Sequence, residues 1–218
     1  QHRVLLDGKP IKTPGKKTVG FPDAKLAQMV ANEWAAVEEK IDPAKMPLRR
    51  ICNTMVYSGD DYLAPVREEL LKYTGNDLLF YRAEGPDSLV ELQRKHWDAP
   101  LSVFEREHGA KFELAGGVIH VAQPQESLDK IEALVNRYGL YSAFAAMSIT
   151  AITGSALLAI GLREGHFDAE QVWAAAYVDE DYQASQWGED DQAMAAREYK
   201  RKDFDAAVRL FDILSLEI

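Results

Sequence analysis

The residues best suited to binding or chemistry form an acidic run in the last fifth of the chain. Six carboxylates fall within thirteen residues, no lysine or arginine lies between them, and Tyr182 and Trp187 are interleaved with them. Aromatic side chains beside charges that lose their water are typical of protein interfaces. A solvated helix end could have the same composition, so both interpretations stay open. The six acids are Asp179, Glu180, Asp181, Glu189, Asp190 and Asp191.

Carboxylates can also hydrolyse a substrate when two of them lie about 5 to 10 Å apart across a cleft. Glu180 with a neighbouring acid is the candidate pair for a hydrolase. Nothing in the sequence fixes that spacing, so a hydrolase is the alternative hypothesis and not the leading one.

The other patterns that would indicate catalysis or a cofactor are missing. Residues 14–18 lack the glycine spacing of a phosphate-binding loop, and Ser155 lies outside a Gly-x-Ser-x-Gly elbow. A single cysteine, Cys52, and five scattered histidines give no spacing typical of zinc ligands. We therefore expect no cofactor, no metal site and no catalytic residues.

Composition restricts the partners further. The 218 residues include 35 acidic and 25 basic side chains, a formal net charge of -10, which argues against nucleic acid as the main partner. One cysteine cannot form an internal disulfide, which indicates a reducing compartment. Residues 138–162 carry no charge, but their alanine, serine and threonine content favours a buried helix over membrane insertion.

Hydrophobic spacing predicts an α+β fold, with a small N-terminal α/β domain of short antiparallel strands (1–58) and a larger, mostly helical domain (59–218). In the first part, Asp7-Gly8 and Pro14-Gly15 indicate hairpin turns, Thr18 to Phe21 reads as a strand, and a helix runs from Pro22-Asp23 to Glu39.

In the second part, the spacing predicts six helices and a β-hairpin at Phe112 to Val121. Gly154 belongs to a stripe of small residues against which another helix should pack closely. The predicted helices are one that follows Ser58-Gly59-Asp60 and runs through Leu71, then Ser88 to His108, Gln125 to Asn136, Tyr138 to Arg163, Asp168 to Trp187 and Asp191 to Leu214.

Several short motifs occur along the chain in a characteristic order. They are Val4 to Pro14, Glu33-Trp34, Met46-Pro47-Leu48 with Asn53-Thr54, Thr74 to Leu79 with Tyr81-Arg82, Gln93 with Trp97-Asp98, Thr153-Gly154-Ser155, and Asp179-Glu180-x-Tyr-Gln-x-x-x-Trp187-Gly188. Together they closely resemble the assembly chaperones for the alpha subunit of the ATP synthase catalytic head, in mitochondria and related bacteria.

The resemblance implies a non-enzymatic, ATP-independent chaperone that holds the unassembled alpha subunit. It implies the bacterial cytoplasm or the mitochondrial matrix, with the cytoplasm favoured, and leaves the oligomeric state open. A family glutamate important for function matches Glu180, and Asp179 and Asp181 flank it. We expect the partner-binding residues to be Glu180, Asp179, Asp181, Tyr182, Trp187 and Glu189, and we expect Trp34 and Trp97 to act in packing.

Overall fold

The computed structural model describes residues 2–13, 15–21 and 23–214. Its N-terminal part contains two antiparallel strand pairs, β1 (His2–Arg3) with β4 (Gly20–Phe21) and β2 (Leu5–Leu6) with β3 (Lys9–Pro10). The Asp7-Gly8 turn is confirmed, and both of its residues have positive φ, 52° and 76°, as a two-residue hairpin turn requires. Pro14, in the second predicted turn, lies outside the described residues.

The remaining elements are mostly helices, arranged around α6 as the central helix. α6 packs against α3, α7 and the C-terminal helix α10, and α10 also packs against α1 and α2. The helices are α1 Ala24–Ala35, α2 Pro47–Ser58, α3 Leu63–Thr74, α4 Asp87–His108, α5 Gln125–Val135, α6 Leu140–Thr153, α7 Ala156–Arg163, α8 Ala169–Ala176, α9 Val178–Trp187 and α10 Asp191–Leu214. The α+β class is confirmed, whereas the division at residue 58 stays a prediction.

The single helix predicted from Tyr138 to Arg163 is wrong, because the chain forms two helices there. Gly154 ends α6 in the left-handed region with φ 73°, and the Ser155 hydroxyl caps α7 by accepting from the Leu158 N–H at 3.0 Å. The segment is nevertheless largely buried, as expected. In the described part of the chain, no helix is both long enough and apolar enough to span a bilayer.

Two further expectations need correction. The helix predicted from Asp168 to Trp187 is interrupted at Tyr177, which separates α8 from α9. The predicted hairpin at Phe112 to Val121 is also wrong, because β6 (Ala115–Gly116) pairs in parallel with the distant strand β5 (Tyr81–Arg82).

The break between α6 and α7 is held by a buried acid, and we call this contact the Asp77 junction. The Asp77 carboxylate accepts from the Leu79 N–H at 3.1 Å and from the Leu157 N–H at 2.9 Å. The Leu78 N–H donates to the Gly154 carbonyl at 3.2 Å. Two motifs almost eighty residues apart in sequence therefore contact each other in the folded protein.

A second acid caps α2. The Glu33 carboxylate accepts from the N–H groups of Leu48 and Arg49 at 2.9 and 2.8 Å, donors that a helix start leaves without an intrahelical partner. The Arg49 guanidinium lies 4.6 Å from the centre of the Trp34 ring. The Trp34 side chain thus packs between α1 and α2, in agreement with the packing role expected from its position on the helix face.

Candidate functional site

The predicted binding residues belong to a helical hairpin formed by α9 and the first half of α10. The two helices are joined by Gly188, Glu189 and Asp190, and Gly188 has φ 88°. Asp190 starts α10, since its carboxylate accepts from the Ala193 N–H at 2.8 Å. The last part of α10 is buried in the core, whereas most side chains from 191 to 200 are exposed.

Two of the predicted residues attach α9 to α4. The Asp179 carboxylate accepts from the Gln93 side-chain amide at 2.8 Å, and the Tyr182 hydroxyl lies 3.0 Å from that of Ser88. The indole N–H of Trp97 donates to the Ala175 carbonyl at 2.7 Å, just before α9. Asp179 and Tyr182 therefore position the hairpin, and the expected packing role of Trp97 is confirmed.

A third predicted residue, Asp181, forms an ion pair with Arg197 of α10. Arg197 also lies over the Tyr177 ring, 4.6 Å from its centre. The hydrogen bond that Arg197 donates to Asp181 is the main reason why the pKa of Arg197 is raised, ahead of the opposing effect of burial. The sequence placed no cation inside the acidic run, but the fold supplies this one from the next helix.

The remaining predicted residues are exposed. Trp187 is 79% exposed at the end of α9, and Glu189 is exposed in the turn. The carboxylate of Glu180 is exposed, and no hydrogen bond or ion pair engages it within the described ranges 2–13, 15–21 and 23–214. Of the three consecutive acids 179–181, Glu180 is thus the one left available to a partner.

Between the two helices lies a groove of about 490 Å³, which we call the hairpin groove. Its walls combine small apolar side chains with four carboxylates and two cations. Sequence reasoning missed the α10 wall, because alanines in a helix normally indicate packing inside the protein. The lining residues are Tyr177, Glu180, Asp181, Ala184, Ser185, Glu189, Asp190, Ala193, Met194, Ala196, Arg197 and Lys200.

One buried polar atom in this groove lacks a partner. Tyr177 is only 4% exposed, and its hydroxyl makes no hydrogen bond to any described residue. Burial, and then the nearby charge of Glu180, raise the pKa of Tyr177. A buried hydroxyl without a hydrogen bond is costly, so the described residues leave one polar group of the groove wall without a hydrogen-bond partner.

The groove contains no arrangement typical of a nucleophile with its base. The Ser185 hydroxyl donates to the Tyr182 carbonyl at 2.7 Å, along its own helix. Among the residues that the structure describes, no group of three or more histidine, cysteine or acidic side chains could hold a metal ion. What the arrangement offers is a charged, partly apolar surface between two helices.

Comparison with known proteins agrees with this organisation. Residues 1–105 match the family model of the ATP12 chaperone protein. A protein of Agrobacterium tumefaciens has a crystal structure with a TM-score of 0.92 and 38% identity, covering 97% of this chain and 80% of that one. Atp12 of Paracoccus denitrificans has a TM-score of 0.86 and 33% identity, covering 97% and 91%. The mitochondrial protein atp12 of Schizosaccharomyces pombe is 22% identical over 220 residues, 94% of this chain and 75% of that protein.

The fold and these likenesses place the chain among the chaperones. It belongs to the ATP12 chaperone family, and this confirms the resemblance to ATP synthase assembly chaperones that the motifs indicate. The family model ends at residue 105, whereas the likeness to the two crystal structures extends over 97% of the chain.

Proposed function

We propose that this protein binds the unassembled alpha subunit of the ATP synthase catalytic head through the α9–α10 hairpin, with Glu180 as the central contact. The observation that carries the proposal is the state of Glu180, an exposed carboxylate without an intramolecular partner among the described residues, on a helix whose neighbouring acids are both engaged. Trp187, exposed seven residues further along, supplies the aromatic anchor that such interfaces favour.

The physical need for such a chaperone follows from ring assembly. A subunit of a ring exposes a large apolar interface before its neighbour arrives, and exposed apolar patches of that size promote aggregation. We infer that the chaperone covers part of this interface without turnover or nucleotide, and that the neighbouring beta subunit displaces it. The family's relatives are mitochondrial and bacterial, so we assign the protein to the bacterial cytoplasm or the mitochondrial matrix.

The alternative, a hydrolase that uses Glu180 and a neighbouring acid, gains no support from the geometry. Asp179 is bound to Gln93 and Asp181 to Arg197, so neither is a free partner for Glu180 in a two-carboxylate mechanism. A turnover assay with generic ester and glycoside substrates tests the point directly.

The proposal predicts that charge reversal at Glu180 removes client binding without unfolding the protein. An exposed carboxylate adds only about 0 to 1 kcal/mol to stability, whereas removing a charge that pairs with a partner costs about 2 kcal/mol or more. Glu180→Lys should therefore keep its circular dichroism spectrum and melting temperature. It should bind purified alpha subunit at least about tenfold more weakly and no longer suppress its aggregation.

The matched control is Glu132→Lys, a charge reversal at an exposed glutamate of α5, away from the hairpin. It should bind the alpha subunit like the unmodified chain. Equal binding by both variants would overturn the assignment of Glu180. Unfolding of Glu180→Lys would instead show that this acid is structural.

A further inference from the structure

Small side chains line both walls of the hairpin groove. Ala184 on α9 faces Ala193 and Ala196 on α10 across an open volume of about 490 Å³. Helices pack at interaxial distances of 8 to 10 Å, and small side chains at the contact permit the closest approaches. Alanines on both walls therefore leave room for bulky side chains from a third helix.

The charged side chains that line the hairpin groove determine which charges a bound helix should carry. The groove is lined by four carboxylates and two cations, and the Asp181–Arg197 pair neutralises one charge of each sign. Asp190 is engaged in capping α10. Glu180 at the inner end and Glu189 at the outer end remain as exposed acids, and Lys200 is the second cation of the lining. Four carboxylates against two cations leave a net negative charge, which favours an occupant that brings cations.

Glu180 lies two helical turns before the end of α9, and Glu189 lies in the turn that follows α9. From Glu180 to the end of α9 at Trp187 the helix rises about 10 Å, at roughly 1.5 Å per residue. On an incoming helix, two cations separated by seven residues lie about as far apart and on the same face. Between them, an apolar stripe would meet Ala184, Ala193 and Met194.

A separate observation points to an occupant. The Tyr177 hydroxyl is buried in the groove wall without a hydrogen-bond partner among the described residues. Buried polar groups in native proteins are nearly always hydrogen-bonded. A polar group of a bound segment, admitted by a small movement of the wall, would satisfy it.

We propose that the hairpin groove binds an amphipathic helix of the client, whose apolar stripe packs on the alanine walls and whose two cations, two turns apart, pair with Glu180 and Glu189. This inference rests on the proposed function and specifies the kind of segment that the hairpin recognises. Binding of this type is the helix-in-groove mode, in which side chains at successive turns are the anchors.

The test is to fill the groove without changing any charge. Ala193→Trp places a large ring between the walls, whereas Ala195→Trp places the same ring on an exposed position of α10 that does not line the groove. Ala193→Trp should weaken binding of purified alpha subunit at least about tenfold, and Ala195→Trp should leave it unchanged. Ala184→Trp fills the groove from the opposite wall and must behave like Ala193→Trp. Circular dichroism checks that each variant is folded.

A labelled amphipathic peptide, built from leucine and alanine with two arginines two turns apart, tests the charge requirement by fluorescence anisotropy. It should bind the unmodified chain, and its counterpart with glutamates in place of the arginines should not. Glu180→Lys should reverse or abolish this preference. If both tryptophan variants in the groove bind the alpha subunit normally, or if the two peptides bind equally, the groove proposal is wrong. Should Glu180→Lys still lose alpha-subunit binding in that case, the proposed function stands without it.

Discussion

Asp77 and Glu180 are both acids within the motifs that identify the family, yet their surroundings are opposite. Asp77 is fully buried, and its carboxylate accepts hydrogen bonds that start α7 and shape the segment after α3. Glu180 is exposed, and no described residue pairs with it. A motif residue can therefore hold the architecture or remain available to a partner, and only the structure separates the two.

The surrounding polar groups differ in the same way. In the Asp77 junction, the carboxylate, the Ser155 hydroxyl and the Gly154 carbonyl all take part in hydrogen bonds, which hold the start of α7 and join the α6–α7 break to the segment after α3. In the hairpin groove, the Tyr177 hydroxyl has no partner among the described residues, and apolar side chains such as Met194 are exposed. The polar groups of the junction are hydrogen-bonded within the protein, whereas the groove leaves a buried hydroxyl and exposed apolar side chains that a partner could cover.

The largest expected difference comes from removing each acid. Asp77→Ala leaves the N–H groups of Leu79 and Leu157 buried without acceptors, at about 1 to 3 kcal/mol each. We expect it to lower the free energy of unfolding by about 2 to 5 kcal/mol, a large part of the 5 to 15 kcal/mol typical of a domain. Glu180→Ala should change it by less than about 1 kcal/mol. Chemical denaturation measures both, and equal losses would contradict the division between the two acids.

The pH dependence of folding stability gives a second, smaller test of the role of Asp77. Burial raises the pKa of Asp77 from 3.8 to about 6, against the lowering effect of its N–H donors. Between these values the folded state holds a proton that the unfolded state has released, so this group stabilises the protein fully below pH 3.8 and loses that contribution as the pH rises through about 6.

The stability difference between the unmodified chain and Asp77→Ala should accordingly be larger at pH 4 than at pH 7, by about 1 to 3 kcal/mol. Denaturation curves at both pH values measure the difference, and acid effects of other groups cancel between the two proteins. A difference that grows with pH would mean that the hydrogen bonds outweigh the desolvation of this carboxylate.

Two glycines near the Asp77 junction extend the comparison, because one is required for its backbone conformation and the other for close packing. A Cβ on Gly154 would meet only the Leu78 Cβ at 3.8 Å, but φ is 73°. A Cβ on Gly161, inside α7, would overlap the Phe167 ring. The closely packed glycine is thus Gly161, not the Gly154 that the stripe of small residues suggested.

Gly161→Ala should lower the free energy of unfolding by about 1 to 3 kcal/mol through overpacking. Gly154→Ala should lower it by about 1 to 2 kcal/mol through its left-handed conformation alone. Thermal melts compare the two variants. A larger loss for Gly154→Ala would show that the Phe167 ring moves aside at little cost.

Sequence reasoning succeeded where the signal is local. The Asp7-Gly8 hairpin and the bounds of α10 follow from turn residues and from periodicity. It failed where a helix breaks within a continuous apolar pattern, as at Tyr177, and where β6 pairs with a strand more than thirty residues earlier. Nothing in the local pattern encodes either event.

The candidate site shows the same limit. The acidic run and its aromatic residues are readable from composition, and they do lie together on one hairpin. That Asp181 meets Arg197 depends on how α10 packs back against α9, and that Asp179 faces Gln93 depends on the position of α4. Which acid stays available is therefore a property of the tertiary structure.

The smallest expected effect concerns the groove alone. Tyr177→Phe removes a buried hydroxyl that has no hydrogen-bond partner among the described residues, and it keeps the ring that packs on Trp173 and under Arg197. Since an unsatisfied buried polar group is unfavourable, its loss should leave the free energy of unfolding unchanged or raise it by up to about 1 kcal/mol. A clear destabilisation in denaturation experiments would show that the hydroxyl is already hydrogen-bonded in the free protein. The buried polar groups of the hairpin groove would then be hydrogen-bonded as fully as those of the Asp77 junction, and the two regions would no longer differ in this respect.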